Sequence, residues 1–193
     1  MKKAFTLIEL LVVISLIGLV SSTVVTSLFS AASDARGSQT GSTKRQLTIA
    51  AQHYELDMGF YPPDVGRGWD PGFERPFPWN PDVEDGSHSG NTNIDCGHCP
   101  SNWEDLVTER WNGPYITWPT RTNWGGRYDY NIWPTGANRP GGCSLSPGIY
   151  AGAQGDYQNN NTIPNDAEQN LLDSDIDNDG CLNGESQLLL FFL

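Results

Sequence analysis

The sequence is poor in positive charge. Eleven Lys and Arg stand against 23 Asp and Glu, a formal net charge of −12, and most of the basic residues are scattered singly. A nucleic-acid surface needs clustered cations to neutralise phosphates, so this composition argues against nucleic acid as a partner. The chain also lacks an A-x-A-like cleavage site of the kind that closes a secretory signal peptide. Helix-forming runs are scarce after residue 59. With 21 Gly and 13 Pro in the chain, and many Asn and Asp, that region reads as turns, loops and short strands. Seven Trp and seven Tyr then have to supply much of its buried area.

What the sequence does have is one long apolar run, residues 5–28, about the length that spans a bilayer at roughly 1.5 Å per residue. Lys2 and Lys3 precede it, so the positive-inside rule keeps Met1 to Ala4 cytoplasmic and sends the rest across. Glu9 interrupts the run. An ionised carboxylate in hydrocarbon costs on the order of 2.5–3.5 kcal/mol on insertion scales, so an acid there points to a partner and a function.

"MKKA" followed by "FTLIELLVVISLIGLV" resembles the leader and mature start of type IV pilins and of the pseudopilins of type II secretion systems. The resemblance implies that a prepilin peptidase cuts between Ala4 and Phe5 and methylates the new amine of Phe5. It also implies that Glu9 pairs with the Phe5 amine of a neighbouring subunit in a helical homopolymer, where an unpaired charge of either sign is costly. Further implied partners are an inner-membrane assembly platform, minor pilins or pseudopilins, and the membrane itself before assembly. The implied location is single-pass in the inner membrane with the head in the periplasm, and then a periplasmic pseudopilus or a cell-surface filament.

The expected organisation is a leader (residues 1–4), a transmembrane and filament-core helix (5–28), an amphipathic helix continuing into the head (29–59) and a globular head (60–193). Leu47, Ala50, Ala51, Tyr54 and Met58 recur at the spacing of one helical face, which should dock on the head. Arg36 to Arg45, with two Gly and several Ser and Thr, is a candidate melted stretch. The helix should stop near Gly59, with Pro62 and Pro63 barring continuation. The fold class is then α+β: a type IV pilin-like lollipop whose long N-terminal α-helix, roughly 80 Å from Phe5 to Asp57, packs on a small antiparallel sheet with long loops.

Tyr54, Asp57, Gly59, Tyr61 and Pro62, and then "WNGPYITWPTRTNWGGRYDYNI" from Trp111 to Ile132, resemble the major pseudopilin more than most pilins. That likeness implies a structural subunit, not an enzyme, polymerising into a pseudopilus for protein export across the outer membrane. The alternative is a major type IV pilin in a surface filament for adhesion, motility or DNA uptake. From the residues alone, Tyr115 to Trp118 should be extended, Asn123, Gly125 and Gly126 should turn, and Tyr128, Tyr130 and Ile132 should share one strand face. Residues 64–100 are an insertion relative to the family, without periodicity, and "LLLFFL" at 188–193 reads as a last buried strand or a contact between subunits.

Cys96, Cys99, Cys143 and Cys181 are an even set in an extracytoplasmic domain, which favours disulfides. Three pairings are possible. Cys96 with Cys99 and Cys143 with Cys181 is preferred, because the first two are close in sequence and the second bond would tie the C-terminal loop to the sheet. "CGHC" also matches an active-site sequence of disulfide isomerases, which requires a strand before it and a helix after it. A zinc site using His98 lacks a second closely spaced pair.

"DSDIDNDGCLNGES", residues 173–186, resembles a calcium loop of the D-x-D-x-D-G kind. Asp175, Asp177 and Asp179 alternate, Gly180 permits the sharp turn, and Leu182 fills the apolar position. Ser186 stands where the last ligand would be Glu, with Glu185 one residue early and Asn183 able to contribute directly or through water. A calcium site in the C-terminal loop is also a feature of major pseudopilins.

Overall fold

The computed structural model describes residues 6–81, 94–139, 142–155 and 162–193. Helix α1 runs Leu7–Met58, 52 residues. The chain divides into two compact units, Met1–Arg36 and Gly37–Leu193. In the first, the described apolar side chains from Leu7 to Val20 are 49% to 81% exposed. Among the described residues no helix is long and apolar enough to cross a membrane. Phe5 and the side chains of residues 22–27 in the expected span lie outside the described residues.

Among its described residues, the second unit combines the rest of α1 with short helices α2 (Trp103–Arg110) and α3 (Asn165–Asp173) and five strands. These strands are β1 (Gly125–Trp133), β2 (Ala137–Arg139), β3 (Cys143–Leu145), β4 (Gly148–Gly155) and β5 (Glu185–Phe192). Three of them form an antiparallel sheet in the order β1-β4-β5, and β2 pairs with β3 as a separate hairpin. This is the α+β class the sequence implied. Leu47, Ala50, Ala51, Tyr54 and Met58 lie buried in one core with Tyr128, Tyr130 and Ile132 of β1, Ala151 and Ala153 of β4, and Leu188 and Leu190 of β5. Alternation puts the β1 residues on one face. The apolar end is therefore a strand, with Phe192 and Leu193 left exposed.

Helix α1 ends where expected. Gly59 takes φ +83°, and its N–H reaches the Glu55 carbonyl at 2.7 Å, a left-handed cap that costs glycine little.

Two local expectations are corrected. Arg36 to Arg45 is helical throughout. Tertiary contacts override weak propensity there: Thr40 is fully buried and its hydroxyl accepts from Asn123 Nδ2 at 3.1 Å. Gly41 faces Ile176 so closely that an added Cβ would lie 3.1 Å from its Cδ1. Tyr115 to Trp118 forms no strand. Pro114 and Pro119 flank it and have no N–H for a ladder. It is pinned instead by Tyr115 N–H to the Phe73 carbonyl at 2.8 Å, Trp118 N–H to Glu74 Oε2 at 3.0 Å and the Tyr115 hydroxyl to Asp57 Oδ2 at 2.9 Å.

The insertion is built, not loose, where it is described. Asp64 and Asp95 exchange two backbone hydrogen bonds of 2.9 Å across its base. The buried Asp70 carboxylate accepts the N–H groups of Phe73, Glu74 and Arg75 and the indole N–H of Trp79. That turn drives Phe73 into the core against Tyr54, Trp118 and Tyr130.

Candidate functional site

Three places carry the sequence-predicted residues. At the amino terminus, Ala4 and Phe5 lie outside the described residues. Glu9 sits in the first turn of α1, where its Oε2 accepts from the Thr6 N–H at 2.9 Å and from the Thr6 hydroxyl at 2.8 Å. The Glu9 N–H in turn reaches Thr6 Oγ1 at 3.3 Å. This is a reciprocal capping box, Thr at the N-cap and Glu three residues on. Thr6 was missed by the sequence reasoning, although T-x-x-E before an apolar run is its signature. The carboxylate is thus held at the tip of the helix by Thr6, which follows Phe5 in the sequence.

The acidic loop follows α3. Asp177 Oδ1 accepts the N–H groups of Asp179 at 3.2 Å and Gln187 at 2.9 Å, and Asp179 Oδ1 accepts that of Cys181 at 2.9 Å. Asp179 Oδ2 takes the Asn183 amide at 3.2 Å. Burial, with the charge of Asp179 beside it, pushes Asp177 up to about 7; burial also raises Asp179. Asp175 adopts a positive φ of 55°. Glu185 does not turn toward these carboxylates: Arg67 and Arg139 hold its two oxygens. Asn183 Oδ1 accepts the Glu185 N–H at 2.9 Å.

Two residues the sequence did not nominate organise the loop. Glu168 on α3 accepts the N–H groups of Asn183 at 2.9 Å and Gly184 at 3.0 Å. Lys44 on α1 donates to the carbonyls of Asp175 and Ile176 and to Asn178 Oδ1, at 3.0, 3.2 and 2.8 Å. No local pattern could pair Lys44 with residues more than 130 positions away.

Hard oxygen donors suit calcium; the Asp177 carboxylate and the Ser186 hydroxyl are buried beside each other, and Gln187 Oε1 is buried without a hydrogen-bond partner. Both Asp179 oxygens already accept hydrogen bonds, from the Cys181 N–H and the Asn183 amide, and Glu185 is held by Arg67 and Arg139. Among the described residues, the one group of three His, Cys, Asp or Glu side chains whose ligand atoms lie within 4.8 Å of one another is Cys96, His98 and Cys99.

Those two cysteines are joined to each other, and Cys143 is joined to Cys181. The first bond leaves no thiolate for zinc. The second ties β3 to the acidic loop. The "CGHC" turn is followed by α2, beginning at Trp103, but what precedes it is an isolated bridge at Asp95 and not a strand.

Residues 1–25 of the 193 match the family model described as the prokaryotic N-terminal methylation motif. No curated protein and no solved structure matches the chain. The matched residues contain Ala4, Phe5 and Glu9, so the chain carries a prepilin-type methylation motif of the kind borne by type IV pilin-like subunits.

Proposed function

We propose that this chain is a structural subunit, cut between Ala4 and Phe5 by a prepilin peptidase, that polymerises into the pseudopilus of a type II secretion system. The observation that carries the reading is the methylation motif over residues 1–25 with Glu9 inside it. The exposed apolar side chains from Leu7 to Val20 support it, since a surface of that size needs lipid or other helices around it. The Glu9 carboxylate, already oriented by Thr6, then exchanges its cap for the methylated amine of Phe5 on a neighbouring subunit. The subunit waits in the inner membrane with its head in the periplasm, and the assembly platform and minor pseudopilins set where growth begins. The likeness of Trp111 to Ile132 to the major pseudopilin favours the secretion role. The surface-pilin reading is favoured by the insertion, whose built turn around Asp70 and disulfide at Cys96 suit a filament exposed outside.

Mass spectrometry of sheared and envelope fractions tests this reading. Methylated Phe5 peptide confined to the envelope supports the pseudopilus, and its abundance in sheared filaments makes the chain a surface pilin. A peptide still starting at Met1 overturns both. Glu9→Ala should abolish assembly while leaving the unfolding of the second unit unchanged.

Calcium belongs to the same proposal: bound through Asp177 and Asp179, it orders the loop tied by Cys143 and Cys181, on a surface available to the next subunit. Millimolar calcium should raise Tm by several degrees over chelator, since a ligand that binds only the native state stabilises by mass action. Asp177→Ala should remove the shift; an equal shift in that variant, or none in the parent, refutes the site.

A further inference from the structure

The Cys96–Cys99 disulfide has no part in the assembly chemistry. It joins residues three apart, in a turn where the Cys99 N–H donates to the Cys96 carbonyl at 2.9 Å. Cys143–Cys181 spans 38 residues. A cross-link stabilises mainly by restricting the unfolded chain, and more so for longer loops, so the short bond contributes much less to the fold.

Its exposure and its neighbour His98 suit exchange chemistry. Both sulfur-bearing residues are half-buried and His98 between them is exposed. His98 Nε2 lies 3.0 Å from the Tyr61 carbonyl oxygen and 3.5 Å from Cys99 Sγ. A carbonyl only accepts, so Nε2 carries a proton and donates it to the Tyr61 oxygen, with Cys99 Sγ 3.5 Å from the same nitrogen. The turn is anchored at Asp95, whose Oδ1 accepts the Gly97 N–H at 2.9 Å and whose backbone bridges to Asp64.

We propose that Cys96–Cys99 is a surface thiol–disulfide exchange site that takes two electrons from a dithiol, with Cys99 as the leaving sulfur and His98 positioned to hold its thiolate. One thiolate of the dithiol attacks Cys96 Sγ, forming a mixed disulfide and breaking the Cys96–Cys99 bond. The electron pair goes to Cys99 Sγ, beside the His98 Nε2–H. The second thiolate then attacks the dithiol's own sulfur in the mixed disulfide, closing a cyclic disulfide and releasing Cys96 as thiolate. The protein gains two electrons and, on protonation of both thiolates, two protons; the dithiol is oxidised by the same amount. The exchange is stoichiometric, once per subunit. Asp64, Asp95 and Glu55 line the clefts around His98. Their negative charge opposes a thiolate, which leaves the His98 donor as the favourable contact.

The test uses the full chain in detergent, titrated with dithiothreitol under native conditions, alkylated and mapped by mass spectrometry. Cys96 and Cys99 should become alkylated while Cys143–Cys181 stays joined and Tm stays nearly constant. His98→Ala should slow reduction by about threefold or more, since a leaving thiol departs more slowly as its pKa rises. It should also move the pH midpoint of Cys99 alkylation upward in the reduced protein. The proposal is overturned by the two disulfides opening together, or by rate and midpoint both unchanged in His98→Ala.

Discussion

Helix α1 carries two different chemistries along one continuous backbone. Before Gly37 the described apolar side chains from Leu7 to Val20, interrupted by Glu9 and Ser15, are exposed on every side of the helix. After it, Leu47, Ala50, Ala51, Tyr54 and Met58 are buried on one face, while Ile49 and Leu56 stay out. The first stretch contributes nothing to its own unit's core and needs an environment supplied from outside. The second is held by the sheet and insertion of its own chain. Backbone continuity therefore says little about what stabilises each part; side-chain pattern says most of it.

The largest effect that would sharpen this contrast is Tyr54→Ala. The ring sits among Phe60, Phe73 and Tyr115, with centroids 6.1, 6.3 and 5.7 Å away. Its removal should cost about 3–5 kcal/mol in denaturant unfolding, the usual range for a large aromatic truncated in a core. Leu10→Ala, in the first stretch, should change that unfolding by less than about 0.5 kcal/mol. Comparable losses from both variants would break the contrast.

How far the sequence was legible follows the same line. The buried face of α1, its stop at Gly59 and the alternation in β1 are set by local periodicity and glycine chemistry, and these could be read. The helicity of Arg36 to Arg45 could not, because Lys44, Thr40 and Gly41 meet Asn178, Asn123 and Ile176, all remote in sequence. The turn around Asp70 is in the same class: its carboxylate gathers four donors, but nothing in the spacing announces that Phe73 enters the core. At the candidate sites, Glu9 stood out because an acid in an apolar run is costly. Its capping partner Thr6 is legible only as the first position of a T-x-x-E ahead of the apolar run. Glu185 looked like a calcium ligand by spacing, and only the fold brings Arg67 and Arg139 to it.

A middle-sized effect comes from pH, and it belongs to the second unit alone. Burial pushes Asp177 up to about 7, and Asp64, Asp70 and Asp129 each to about 6, against about 3.9 for an unperturbed Asp. An acid whose pKa is raised on folding binds its proton more tightly in the native state. Stability is therefore lost as pH rises through about 6–7 and regained as pH falls from 8 toward 5. In calcium-free buffer, Tm should be about 3–6 °C higher near pH 5.5 than at pH 8. Asp177→Asn keeps an oxygen for the Asp179 and Gln187 N–H groups, so it should raise Tm at pH 8 and flatten the upper part of the profile. A profile that falls toward acid instead would mean that these carboxylates are stabilised, not burdened, by burial.

The smallest effect compares two glycines of α1. At Gly18 an added Cβ meets nothing within 4 Å, and at Gly41 it lies 3.1 Å from Ile176 Cδ1. Alanine gains about 1 kcal/mol of helix propensity over glycine at either position. Gly18→Ala should keep that gain, read as more helix by circular dichroism in detergent, with no change in the unfolding of the second unit. Gly41→Ala should come out within about 0.5 kcal/mol of neutral, because Ile176 must give way by a few tenths of an ångström and its carbonyl is anchored to Lys44. If Gly41→Ala instead stabilised the head by the full propensity difference, Ile176 would not be packed on α1 at that point. The stretch from Arg36 to Arg45 would then behave in solution as its composition suggests, and the second chemistry of the helix would begin nearer Leu47.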